Sequence, residues 1–96
     1  MRVLLVEDEK NLSAAVCRFL KRDNIVVDPV YTGPDGLDNA LSGIYDAVIL
    51  DVMLPGMDGF AILRELRSSG SAVPVMMLTA RSGLEDRIQG LETGAD

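Results

Sequence analysis

The sequence comprises 96 residues, 48% apolar and 25% charged, and its fifteen acids against nine bases leave a net charge of −6. That length fits one domain and no second, and the composition is globular rather than disordered. The acidic balance argues against this segment gripping nucleic acid, which takes Lys and Arg against phosphates, and the absence of histidine removes His-based catalysis and the commonest zinc ligand.

Val3-Leu4-Leu5-Val6 is an unbroken apolar run that stops at Glu7-Asp8-Glu9, the signature of a parallel strand covered on both faces. From Lys10 the period changes. Leu12, Ala15, Val16, Phe19 and Leu20 predict the apolar face of a helix closed by Lys21 and Arg22, where the helix dipole favours cations. Cys17 lies in that pattern and reads as a half-buried structural thiol, without a disulfide partner or metal-ligand spacing.

Residues 25–31 predict a second strand, interrupted by Asp28 and Pro29. Proline donates nothing to a ladder, so this strand belongs at a sheet edge. Thr32-Gly33-Pro34 opens a short helix with Leu37, Ala40 and Leu41 on one side, and Gly43 ends it. Ala47-Val48-Ile49-Leu50 is a third apolar strand, closed by Asp51. Leu54-Pro55-Gly56-Met57-Asp58-Gly59 is a loop by composition, and Asp58 suits the N-cap of a helix carrying Phe60, Leu63 and Leu66 inward. Residues 73–78 predict a fourth strand ending at Thr79, and residues 83–92 a fourth helix with Leu84, Ile88 and Leu91 on one face. The order βαβαβαβα with short connections requires right-handed crossovers and a largely parallel sheet with helices on both faces. Glu7 comes too early for a signal peptide and no apolar run approaches ~18 residues, so a soluble cytoplasmic protein without membrane contact is expected.

Strands one, three and four end in Glu7-Asp8, Asp51 and Thr79. Ligands of open parallel sheets sit beyond the carboxyl ends of the strands, so these residues are expected to converge. Three carboxylates and a hydroxyl make an oxygen-only site, which suits a hard cation such as Mg²⁺ together with a phosphate. A carboxylate that attacks a phosphoryl group approaches an anion, and a metal offsets that repulsion. Asp8, with Glu7 through a water, would hold the cation. Asp51 would ligate it and act as nucleophile, giving an acyl phosphate, and Thr79 would donate its hydroxyl to a phosphate oxygen. Any one of these acids taken alone also reads as an ordinary solvated or helix-capping loop residue.

Three blocks resemble those of the response-regulator receiver domains of two-component signalling. They are Val3-Leu4-Leu5-Val6-Glu7-Asp8-Glu9, the run from Ala47 through Asp51, Met53 and Pro55 to Gly59, and Val75-Met76-Met77-Leu78-Thr79-Ala80-Arg81. The stretch from Leu84 to Asp96 is similar to the OmpR/PhoB branch. The resemblance implies an α/β, flavodoxin-like (CheY-like) doubly wound parallel sheet of strand order 2-1-3-4. It implies Asp51 as phosphoacceptor, Glu7 and Asp8 as the metal-binding acid pair, and the Met53 backbone carbonyl as a further Mg²⁺ ligand. Thr79 matches the switch hydroxyl, and Ala80 the small residue beside it. A sensor histidine kinase is the implied phosphoryl donor, and a DNA-binding effector domain outside these residues the implied output, with regulation of transcription its purpose.

The family carries a fifth strand, with a Lys-Pro dipeptide and an aromatic switch residue, and a fifth helix. The sequence stops at Asp96, about where that strand is expected, and neither Lys10 nor Arg81 occupies the lysine's motif position. Slow phosphorylation of Asp51 and a homodimer through the exposed fourth strand or fourth helix are the resulting expectations. Two other functions fit parts of the pattern. A haloacid-dehalogenase-like phosphohydrolase also uses an aspartate after a strand, but it wants an acid where Met53 stands. A flavodoxin-like interaction domain wants a phosphate-cradling loop after strand one, where Glu7-Asp8-Glu9 would repel one.

Overall fold

A computed structural model describes residues 1–78. Thr79, Ala80, Arg81 and the expected helix over residues 83–92 lie outside the described residues. Seven elements alternate along the chain: β1 (Arg2–Val6), α1 (Lys10–Lys21), β2 (Val26–Val30), α2 (Gly33–Ala40), β3 (Ala47–Asp51), α3 (Gly59–Ser68) and β4 (Val75–Leu78). The strands form one parallel sheet in the order β2-β1-β3-β4, as expected. β2 lies at an edge, which is what allows Pro29 to sit within it, paired with Leu5.

The register carries the function. Val6 pairs with Val30 on one side and Leu50 on the other, and Asp51 with Leu78. The residues that follow β1 and end β3 therefore lie side by side. Right-handed crossovers put α1 on one face of the sheet and α2 and α3 on the other, because the chain steps outward from β1 to β2 and then returns past it.

The main core lies beneath α2 and α3, where Leu4, Val6, Val48, Leu50, Val75 and Met77 meet Ala40, Ile62, Leu63 and Leu66. Leu63 and Leu66 are fully buried as expected, but Ile62 is fully buried as well, and Phe60 only packs at the margin. Leu41 proves to be the C-cap of α2, just past the helix end at the buried Ala40, and is 47% exposed. Asp58 caps α3, its side chain accepting the Ala61 N–H at 2.8 Å.

The largest departure concerns α1. Its covered face is Ser13, Val16, Cys17 and Leu20, whereas Leu12 and Phe19 are 38% and 64% exposed and Ala15 is exposed too. Hydrophobicity placed the buried stripe one position around the helix. Ser13 is 1% exposed, and its small side chain faces the sheet while α1 covers the β1 and β2 half. Leu12, Ala15 and Phe19 occupy the opposite flank from Cys17 and Lys21, which line a groove along β2. Beside α1 the sheet leaves a shallow apolar trough of about 230 Å³ bounded by Leu20, Ala47, Ile49 and Met76.

Asp28 does more than interrupt a strand. It accepts hydrogen bonds from Arg2 Nε at 2.9 Å and Tyr45 Oη at 2.8 Å, which fasten the edge strand to its neighbours. The Tyr45 hydroxyl first, and then Arg2, hold its carboxyl below the usual aspartate range.

Candidate functional site

Glu7 leaves β1 still tied to the sheet, its N–H donating to the Val30 carbonyl at 3.1 Å. The Glu9 N–H donates back to Glu7 Oε2 at 2.8 Å, so the turn after β1 orients the Glu7 carboxylate toward β3. Glu9 then caps α1 through the Asn11 and Leu12 N–H groups, at 3.0 and 2.6 Å. The expected run of three acids thus divides its labour: Glu9 serves the helix, and Glu7 and Asp8 face the end of β3.

There the ligand atoms of Glu7, Asp8 and Asp51 all lie within 4.8 Å of one another. Glu7 is 2% and Asp51 5% exposed, while Asp8 stands at the surface. Burial pushes the Glu7 carboxyl up to about 7, with the neighbouring Asp51 and Asp8 charges acting in the same direction against the Glu9 N–H. Asp51 is raised as well, by burial first, although the Met53 N–H at 3.3 Å favours its charged form. Three carboxylates packed this closely repel one another, and two of them have left water. A divalent cation would relieve both penalties, and an all-oxygen donor set is compatible with a hard one.

The loop between β3 and α3 completes the site. Gly59 opens α3 with its N–H on the Val52 carbonyl at 2.8 Å, and a Cβ there would stand 2.3 Å from the Asp51 carbonyl oxygen. Met53 follows Asp51 by two residues, with its backbone at the site and its side chain 61% exposed. No acid stands at that place, which removes the proton-transfer group of the phosphohydrolase reading. Lys10 lies over the Tyr31 ring, 5.3 Å from its centroid. β4 ends at Leu78, and Thr79 lies outside the described residues.

Two surface grooves lie away from this cluster, and neither is lined by Glu7, Asp8 or Asp51. Among the described residues no helix is long and apolar enough to cross a membrane. Sequence reasoning missed the capping role of Glu9. An acid at the start of a helical period, next to orphan N–H groups and the positive end of the helix dipole, was the signal for it.

Comparison with known proteins agrees with this architecture. The family model of the response regulator receiver domain matches residues 3–96. The transcriptional regulatory protein DltR of Streptococcus agalactiae is 43% identical over 96 residues, 100% of this chain and 43% of that protein. The transcriptional regulatory protein TcrA of Mycobacterium tuberculosis is 47% identical over the same length, covering 38% of its own. The chain therefore spans less than half the length of these relatives. Among solved structures, a response regulator receiver domain of Francisella superposes with a TM-score of 0.89 at 28% identity, covering 99% of this chain and 78% of that one. A response regulator of Chloroflexus aurantiacus gives 0.87 at 29% identity, covering 99% and 80%.

Proposed function

The chain belongs to the response regulator receiver domain family, and from that premise we propose that Asp51 is its phosphoacceptor, served by a Mg²⁺ site of Glu7, Asp8, Asp51 and the Met53 backbone carbonyl. The observation that carries this reading is the convergence of three carboxylates within 4.8 Å at the carboxyl end of the sheet, two of them buried. Bound there, Mg²⁺ would offset the negative charge shared by the Asp51 carboxylate and an incoming phosphoryl group.

The chain's own residues do the rest. The Met53 N–H holds Asp51 Oδ1 in place, and the hydrogen-bonded turn through Glu9 keeps Glu7 beside it. An Asp51 oxygen attacks phosphorus as the phosphorus–nitrogen bond of a kinase phosphohistidine breaks, and the departing ring nitrogen takes up a proton from solvent, which leaves an acyl phosphate and a neutral imidazole. Thr79, the residue after β4, is assigned the hydroxyl that binds the new phosphate. The donor is a sensor histidine kinase, the partner that the receiver family implies, and the output is regulation of transcription, in keeping with the names of the relatives. Self-association at β4, the outermost strand of the sheet among the described residues, belongs to the same proposal, and Met76 within it is 52% exposed.

Mass spectrometry after incubation with acetyl phosphate and Mg²⁺ tests the reading. The chain is expected to gain one phosphoryl group and Asp51→Asn none, with the gain abolished by EDTA. Equal labelling of Asp51→Asn would remove Asp51 from the role.

A further inference from the structure

The loop after Asp51 is held at two separated places. Its base is closed by Gly59 on Val52, as above. Its tip is gripped by α2: the Pro55 carbonyl accepts the Gly33 N–H at 3.1 Å. A Cβ on Gly33 would stand 2.3 Å from the Met57 carbonyl oxygen and 2.6 Å from Met57 Cβ, so only glycine lets the two backbones meet. Gly56, at φ +81, backs onto the Pro34 ring, where a Cβ would lie 3.1 Å from Cδ. Gly33 is buried although Pro34 beside it is exposed. Between base and tip the loop has the long 3.3 Å bond from the Met53 N–H to Asp51.

We propose that the first turn of α2, through Gly33 and Pro34, is a clamp that positions the Met53 segment for the cation held by Glu7, Asp8 and Asp51. Gly33 and Pro34 are positioning residues and touch neither cation nor phosphate. The inference rests on the reading of that cluster as a divalent-cation site. Its physical basis is preorganisation. A seven-residue segment without secondary structure, from Val52 to Asp58, that is already fixed in the free protein loses little freedom on binding. A loose one must be ordered by the cation itself, at the expense of affinity.

The test uses the full chain and its Gly33→Ala and Pro34→Ala variants, with Mg²⁺ binding measured by calorimetry and amide hydrogen exchange of residues 52–58 followed without metal. Gly33→Ala is expected to weaken Mg²⁺ binding about tenfold, the low end of the loss when support for a metal ligand is removed, and to speed exchange in the loop. Pro34→Ala shifts both readouts the same way by less. Leu66→Ala, which thins the core far from the loop, lowers the melting temperature with Mg²⁺ affinity unchanged, and so separates positioning from general destabilisation. A folded Gly33→Ala protein with wild-type Mg²⁺ affinity, or with unchanged loop exchange, overturns the clamp. If Gly33→Ala does not fold, the same two outcomes in Pro34→Ala overturn it. A wild-type chain that binds no Mg²⁺ overturns the site itself, a result distinct from the failure of the clamp alone.

Discussion

Glu7 is the residue whose energetics are most out of the ordinary. Its carboxyl is nearly sealed from water beside two other acids, and its folded value of about 7 stands above the ordinary 4.5. A carboxyl raised on folding binds its proton more tightly in the native state. Without metal, stability is therefore greatest below pH ~4.5 as far as this group is concerned, and falls as pH rises through the window to about 7. The loss across that window is on the order of 2–3 kcal/mol. Glu7→Gln is expected to remove the slope and to raise the metal-free melting temperature at alkaline pH, as thermal melts across pH would show. Saturating Mg²⁺ should flatten the slope of the wild type as well, because the cation stabilises the charged form. A wild-type stability that rises over this window would contradict the assignment. Asp51, Asp8 and Glu7 were legible as strand-end acids because apolar runs end where the chain leaves the sheet. The division between a capping Glu9 and a buried Glu7 was not, since it depends on which way each side chain turns.

The elements are joined to the site through close backbone approaches. Gly59 is where α3 begins and where β3 passes nearest, and a methyl group there would meet the Asp51 carbonyl oxygen, an atom fixed by the sheet. Gly59→Ala is expected to cost about 1–3 kcal/mol, as overpacking does in cores that cannot relax, and to depress phosphoryl uptake by displacing Asp51. Chemical denaturation and the acetyl phosphate assay check the two halves; full stability with full uptake would show that the contact relaxes freely. Most elements were readable from period and caps: the three apolar strand runs, Asp58 as an N-cap, the helix opened at Thr32-Gly33-Pro34, and the edge position of a strand containing Pro29. The inward face of α1 was not. Periodicity reports where apolar residues lie on a helix, whereas burial depends on which part of the sheet the helix reaches, and α1 sets small Ser13 against the sheet and leaves Phe19 outside.

At the scale of the molecule, the two sides of the sheet differ. β2 is blunted by Pro29 and by the Arg2–Asp28–Tyr45 network, devices that discourage strand addition. β4 has the apolar run Val75–Leu78 and an exposed Met76. β4 is the outermost strand among the described residues, and pairing of two copies across a twofold axis there would extend the sheet through both. Light scattering over a concentration series is expected to show a monomer–dimer equilibrium, shifted to monomer by Met76→Lys. A wild-type monomer at the highest concentration reached would count against the interface.

By itself the sequence determined the alternation of strands and helices, the parallel sheet, and the acids that end its strands, because those properties follow from local period, capping and breaks in hydrophobicity. Only the tertiary structure decided that α1 turns Phe19 away from the sheet, that Asp28 fastens the edge strand, and that Gly33 grips the loop beyond Asp51. Each of those depends on two surfaces meeting across many residues of chain, and close packing at such a meeting is settled by shape, which no single segment carries.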